Sequence, residues 1–198
     1  MVGGGGHVID AYAVSAGRVA AGGRRHRPRS EAALVRAAQR GSEDALAELF
    51  SRHWPALHRS AWLIVHDAAA AEDIAQEAFL AAVRALDRFD RRRPLGPWLH
   101  RIATNRAIDW ARARALRAEV AELPDSPCPT DAAFSEDAIA LLARLTPEHR
   151  AVVVLRYVLE YTPGEIADVL DLPRGTVNSR LRRGLDALRP HLGEEARC

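Results

Sequence analysis

Four side chains near the C-terminus have the types and spacing to read nucleic acid. Arg174, Asn178, Ser179 and Arg182 fall three, four and eight residues apart, so one face of a helix would carry all four. Arginine pairs two N–H donors with a guanine edge, asparagine pairs with adenine, and serine contacts base or phosphate. Between Pro173 and Pro190 stand Arg174, Arg180, Arg182, Arg183 and Arg189 against the single acid Asp186, a surface suited to phosphates. Two more polar stripes lie upstream. Asp73, Gln76, Glu77, Leu80 and Arg84 recur at helical spacing, and Arg101, Asn105, Asp109 and Arg112 do so further on. Each stripe alone is also what an ordinary solvated helix face presents.

Catalytic chemistry finds no comparable footing. There is no Gly-rich phosphate loop, no H-E-x-x-H and no nucleophile elbow, so no catalytic residue is assigned. Asp73 and Glu77 could hold a magnesium ion in principle, but their polar neighbours fit docking to a partner better. Cys128 and Cys198 lack a CxxC or Cys/His partner at ligand spacing. The eight histidines are dispersed, with His53 and His58 off a shared face. The expectation is therefore no metal, no cofactor and a reducing, cytoplasmic setting.

The elements that must carry these stripes follow from periodicity and caps. Ile74, Ala78, Ala82 and Leu86, with Phe79 and Val83, mark the apolar side of a helix behind the Asp73 stripe. Leu99, Ile102, Ala103 and Trp110 do the same behind Arg101, and an Arg- and Pro-rich loop, Asp90 to Pro97, joins the two. Upstream, Leu34, Val35 and Ala38 face inward on a short helix that Gly41 ends. Ser42 caps the next helix, whose period runs on through Trp54, Leu57, Ala61 and Ile64 if Pro55 lies in a first turn or at a kink. Downstream, Thr146-Pro147-Glu148 restarts a helix, and Thr162-Pro163-Gly164-Glu165 reads as a capping box. Asp171-Leu172-Pro173 then separates that helix from a last one burying Val177, Leu181, Leu185 and Leu188, a helix-turn-helix pattern.

The sequence thus predicts an all-α chain of two small helical domains on a flexible linker. Residues 1–30, with five Arg against one Asp, read as a disordered basic arm or a bare extension. Residues 31–114 form the first bundle, 115–135 an acidic, Pro-containing linker, 136–192 the second domain and 193–198 a tail. All 28 basic residues are Arg, and the net charge is only +2, so it is the clustering of charge that points to nucleic acid. No apolar run approaches the roughly 18–20 residues of a membrane span.

The stretch EDIAQEAFLAAVRAL and the stretch PWLHRIATNRAIDWARAR resemble region 2 of the sigma-70 superfamily of RNA polymerase initiation factors. EIADVL and GTVNSRLRRGLDAL resemble its region 4. Both matches in this order are closest to the short extracytoplasmic-function (ECF) sigma factors. The resemblance implies a dissociable factor that brings core RNA polymerase to promoters and helps melt them. Asp73, Gln76, Glu77, Leu80 and Arg84 would dock on the β′ clamp helices. Arg91, Arg92, Arg93, Leu95 and Trp98 would form the loop holding an unstacked −10 base, although Trp98 fits the core equally well. Arg101, Asn105 and Arg112 would contact the non-template strand. Arg174, Thr176, Asn178, Ser179, Arg182 and Arg183 would read the −35 duplex, with the β flap a further contact and an anti-sigma factor a further partner. A stand-alone DNA-binding regulator would leave the first two stretches without a purpose.

Overall fold

The computed structural model describes residues 30–116 and 135–192, and within them the regular structure is helical. The expected arm, nearly all of the linker, the tail and both cysteines lie outside the described residues.

Caps set the boundaries of the first unit. Ser30 accepts the Ala33 N–H at 3.3 Å and opens α1, Glu31–Ala38. Gly41, at φ +86°, makes a turn that a side-chain-bearing residue would strain. Ser42 then accepts from Ala45 at 3.3 Å to start α2, Glu43–Val65. His66, in the left-handed region, ends α2, and Asp67 accepts the Ala70 N–H at 2.9 Å to start α3, Ala68–Ala85. A 3-10 turn, Leu86–Arg88, precedes the loop to α4, Leu95–Leu116.

Helix α2 is the hub, packing on α1, α3 and α4. Leu49, Leu57, Ala61, Trp62, Leu63 and Ile64 are all essentially inaccessible, and burying such side chains contributes about 1.5–3 kcal/mol each. Pro55 neither starts nor breaks this helix. It lies within α2 and is exposed, as is Ser51, whose carbonyl loses the N–H partner that proline lacks and faces water instead.

The second unit comprises α5, Glu136–Ala143; α6, Pro147–Tyr157; α7, Pro163–Leu170; and α8, Arg174–Leu192. Thr146 caps α6 with Pro147 in its first turn. Ala151, Val152, Val153, Val154 and Leu155 are consecutive and all buried. That arrangement requires neighbours on every side, and α6 has them in α7, α8 and, from the first unit, α2 and α4. The two units are therefore packed together, with α4 also lying against α7.

Candidate nucleic-acid and partner interface

The buried side of α3 carries Ala71, Ile74, Ala75, Ala78, Phe79 and Ala82. This orientation leaves Glu72, Asp73, Glu77 and Arg84 exposed and Gln76 and Leu80 half-buried, so the predicted stripe is one continuous face. Gln76 donates its amide to Glu72 at 3.1 Å, and Glu77 is ion-paired with Arg106 on α4.

The connecting loop is pinned at both ends. Gln39, the residue that closes α1, donates to the carbonyls of Leu86 and Phe89 at 2.9 and 3.0 Å. Asp90 accepts the Arg92 N–H at 3.0 Å through its side chain and the Arg93 N–H at 2.9 Å through its carbonyl. This tight turn displays Arg91, Arg92 and Arg93 in solvent. Two loop residues differ from the sequence expectation. Leu95 is 2 % exposed, and its N–H donates to Glu31 Oε1 at 2.7 Å, so it anchors the loop from the core and cannot line a pocket as it stands. Pro97 belongs to the first turn of α4. Trp98 is half-buried, with its ring 4.7 Å from Phe89, and its edge lines an open cleft of about 1110 Å³.

On α4, Arg101, Asn105 and Arg112 are all exposed on one side. Arg101 Nη2 lies 3.2 Å from Asp171, and Arg112 Nε lies 2.5 Å from Glu148, with Asp109 a further 3.6 Å contact. Burial opposes the Glu148 carboxylate, but its own backbone N–H together with Arg112 outweighs that and holds its pKa below the usual range. Behind this face, His100 is 4 % exposed, 3.3 Å from Ser60 and edge-on to Tyr161. Burial, aided by nearby His53, lowers its pKa to about 4.

The helix-turn-helix is formed by α7 and α8. Thr162 and Glu165 make both bonds of the capping box, at 2.8 and 3.3 Å. Asp171 takes the left-handed conformation, φ 55°, and closes α7, while the Pro173 carbonyl accepts from Thr176 and Val177 at 2.8 and 3.2 Å to start α8. Val177 and Leu188 are buried, and a Cβ on Gly184 would stand 3.2 Å from Val153, so α8 lies close on α6. Arg174, Asn178, Arg182 and Arg183 project outward, whereas Thr176 and Ser179 are half-buried. Ser179 donates to the Thr176 carbonyl at 3.0 Å, so its hydroxyl oxygen remains available as an acceptor. Leu181 is half-buried and Leu185 38 % exposed, so the last helix buries less than its pattern predicted. It packs on one side only.

Sequence reading passed over Arg150. This guanidinium is 8 % exposed and donates to the carbonyls of Leu142, Ala143 and Leu145 at 2.8–2.9 Å and of Ile64 at 2.6 Å. Its signal was an arginine opening the apolar run Ala151 to Leu155, where a charge needs fixed partners.

Two family models match this chain, Sigma-70 region 2 over residues 49–117 and Sigma-70, region 4 over residues 141–190. The chain is 34% identical over 176 residues to the ECF RNA polymerase sigma factor SigW of Bacillus subtilis, covering 80% of this chain and 94% of that protein. The chain belongs to the ECF sigma factors. SigM of Mycobacterium tuberculosis is 38% identical over 175 residues, 86% of this chain and 88% of SigM. Among solved structures, CnrH in complex with the cytosolic domain of CnrY superposes with a TM-score of 0.65 at 30% identity, covering 86% of this chain and all of CnrH. The sigma factor RpoE in complex with the anti-sigma factor NepR, from Bartonella quintana, shares the fold with a TM-score of 0.62 at 21% identity, over 73% of this chain and 94% of RpoE. As a sigma factor, the chain is a transcription initiation factor that acts with RNA polymerase on promoter DNA. Among the described residues no helix is long and apolar enough to cross a membrane.

Proposed function

We propose that this sigma factor divides its work among the faces described above. The carrying observation is that both matched regions place polar, outward-facing stripes on helices whose opposite sides are buried. Residues 31–114 would form the polymerase- and −10-binding domain and 136–192 the −35-binding domain, with 115–135 as the tether. The α3 face, Asp73, Gln76, Glu77, Leu80 and Arg84, docks on the β′ clamp helices, its charges giving placement and Leu80 apolar contact. The loop arginines Arg91, Arg92 and Arg93, with the edge of Trp98, receive an unstacked −10 base, which needs a stacking surface and cations. Arg101, Asn105 and Arg112 then hold the non-template strand.

At the −35 element the N-terminal half of α8 enters the major groove, where Arg174, Asn178, Arg182 and Arg183 meet base edges and phosphates. Thr176 and Ser179 supply acceptors there. The protein acts in the cytoplasm as a non-catalytic factor. An anti-sigma factor controls it, a reading supported by the likeness to a solved sigma factor in such a complex. Selection from a randomised promoter library, with and without core polymerase, tests this assignment. Two spaced elements should be enriched only with polymerase, and Asp73→Ala with Glu77→Ala should abolish the enrichment. Tight specific duplex binding without any gain from polymerase would leave a stand-alone regulator.

A further inference from the structure

The two helix ends that flank the base-receiving loop are both closed by α1. The loop leaves α3 at Leu86, which caps that helix, and enters α4 at Leu95. A helix leaves its last carbonyls and its first N–H groups without partners of its own. On the exit side the Gln39 amide donates to Leu86 and Phe89 at 2.9 and 3.0 Å. On the entry side Glu31 Oε1 accepts the Leu95 N–H at 2.7 Å. The polarity matches as well, since a carboxylate suits a helix N-terminus and a donor suits a C-terminus. Neither contact is local: Glu31 lies 64 residues from Leu95, and Gln39 lies 47 and 50 from its acceptors.

Helix α1 is a rigid spacer between these anchors. Glu31 and Gln39 are eight residues apart, so the helix sets them about 12 Å apart along its axis. Its own seat does not depend on the loop. Leu34 and Val35 are buried, α1 packs on α2, and Ser30 caps its start. From α2, His53 Nε2 stands 3.1 Å from the other Glu31 oxygen, Oε2, and steadies the carboxylate. Between the anchors Asp90 to Pro94, the arginine-bearing tip, are exposed. Phe89, held through its carbonyl, lies 4.7 Å from the Trp98 ring, so the aromatic pair takes its spacing from the same brace. The region 2 family model begins at residue 49, and α1 lies outside what it matches.

We propose that α1 is the positioning element of the loop, with Glu31 and Gln39 fixing its two ends so that Trp98 and the tip arginines meet the extruded base already ordered. Neither residue touches the base. The inference rests on the base-receiving reading of the loop. A loop held in its binding form loses little freedom at capture. Stacking alone accepts any base, so selectivity depends on a pocket of fixed shape, and the brace supplies that shape.

The test uses the full chain with core RNA polymerase and a promoter library randomised over both elements. Trp98→Leu keeps an apolar contact with Phe89 but removes the stacking plane, and the −10 position whose preference it flattens is the captured base. Gln39→Leu removes the donors and Glu31→Leu the acceptor; Gln39→Met removes the donors with an unbranched side chain, should leucine disturb the fold. Glu31→Gln keeps an acceptor oxygen and serves as the conservative rescue. Preference at the captured position should fall about three- to tenfold in each variant that loses a bond. It should stay within about twofold in Glu31→Gln. Preferences at the −35 element, and competition with the unaltered protein for core polymerase, should not change. Undiminished preference in the bond-losing variants overturns the brace. So does an equal fall at both elements, which marks a general loss of fold or of docking. If Trp98→Leu flattens no position, the base-receiving reading fails and the brace with it. Flattening by Trp98→Leu alone leaves that reading standing and removes only the brace.

Discussion

Helices α4 and α8 are both rich in arginine, yet they use it in opposite ways. On α4, Arg101, Arg106, Arg112 and Arg114 each meet a carboxylate from another helix or a helix cap: Asp171, Glu77, Glu148 and Asp67. On α8, among the described residues, Arg189 pairs with Asp186 on the same helix, and Arg174, Arg182 and Arg183 meet no carboxylate. An arginine surrounded by carboxylates exchanges one partner for another when DNA arrives. An open one exchanges water and counterions. The first contributes fit and order, the second net affinity and a steep salt dependence.

The largest effect should come from the residue that spans both units. Arg150→Ala strips donors from four carbonyls, three of them in buried bonds, and each hydrogen bond to a charged group contributes about 1.5–3 kcal/mol. With partial rewetting the expected loss is about 3–5 kcal/mol in urea unfolding. If contact between the units couples them, probes in both should unfold together at the lower midpoint; separate transitions would break that coupling.

Acid should act next, and through the first unit. Burial lowers the pKa of His100 to about 4 and, with Arg150 adding repulsion, that of His66 to about 3. Both sit below the ordinary 6.5, so the unfolded chain binds protons that the folded chain refuses. Their contribution is fully present above the ordinary value, shrinks as pH falls below it, and is exhausted at the folded values. At about pH 5 each should cost about 2 kcal/mol, read from denaturant midpoints at the two ends of that window. His100→Gln should flatten part of that slope.

Smaller still, Arg182→Ala should weaken binding to a −35 duplex by about 1–3 kcal/mol and lower the salt slope by about one. Arg112→Ala, already partnered, should change strand binding less. Measuring salt slopes for both variants sharpens the contrast, and equal slopes would erase it. Thr162→Ala removes one half of a capping box and should cost about 1 kcal/mol in thermal unfolding.

What the sequence made legible was local. Ser42, Thr146 and Thr162 lie within a few residues of the N–H groups they cap, so spacing alone revealed where those helices start. The apolar period behind the α3 stripe was equally plain. Pairings across the fold were not: Arg106 is 29 residues from Glu77, and Arg101 is 70 from Asp171, and no period links such distant positions. Leu95 and Leu185 mislead for a related reason. Whether a leucine beside arginines is buried depends on what arrives opposite it: Leu95 is buried, with its N–H held by Glu31 of α1, while Leu185 stays 38 % exposed.

The bond between Glu77 and Arg106 gives the docking face an inner end. A carboxylate on the face proposed to dock on the polymerase is also bonded to α4, the helix proposed to hold the strand. On the proposed assignment a substitution at Glu77 therefore disturbs both faces at once, and a change at Arg106 is what would separate them.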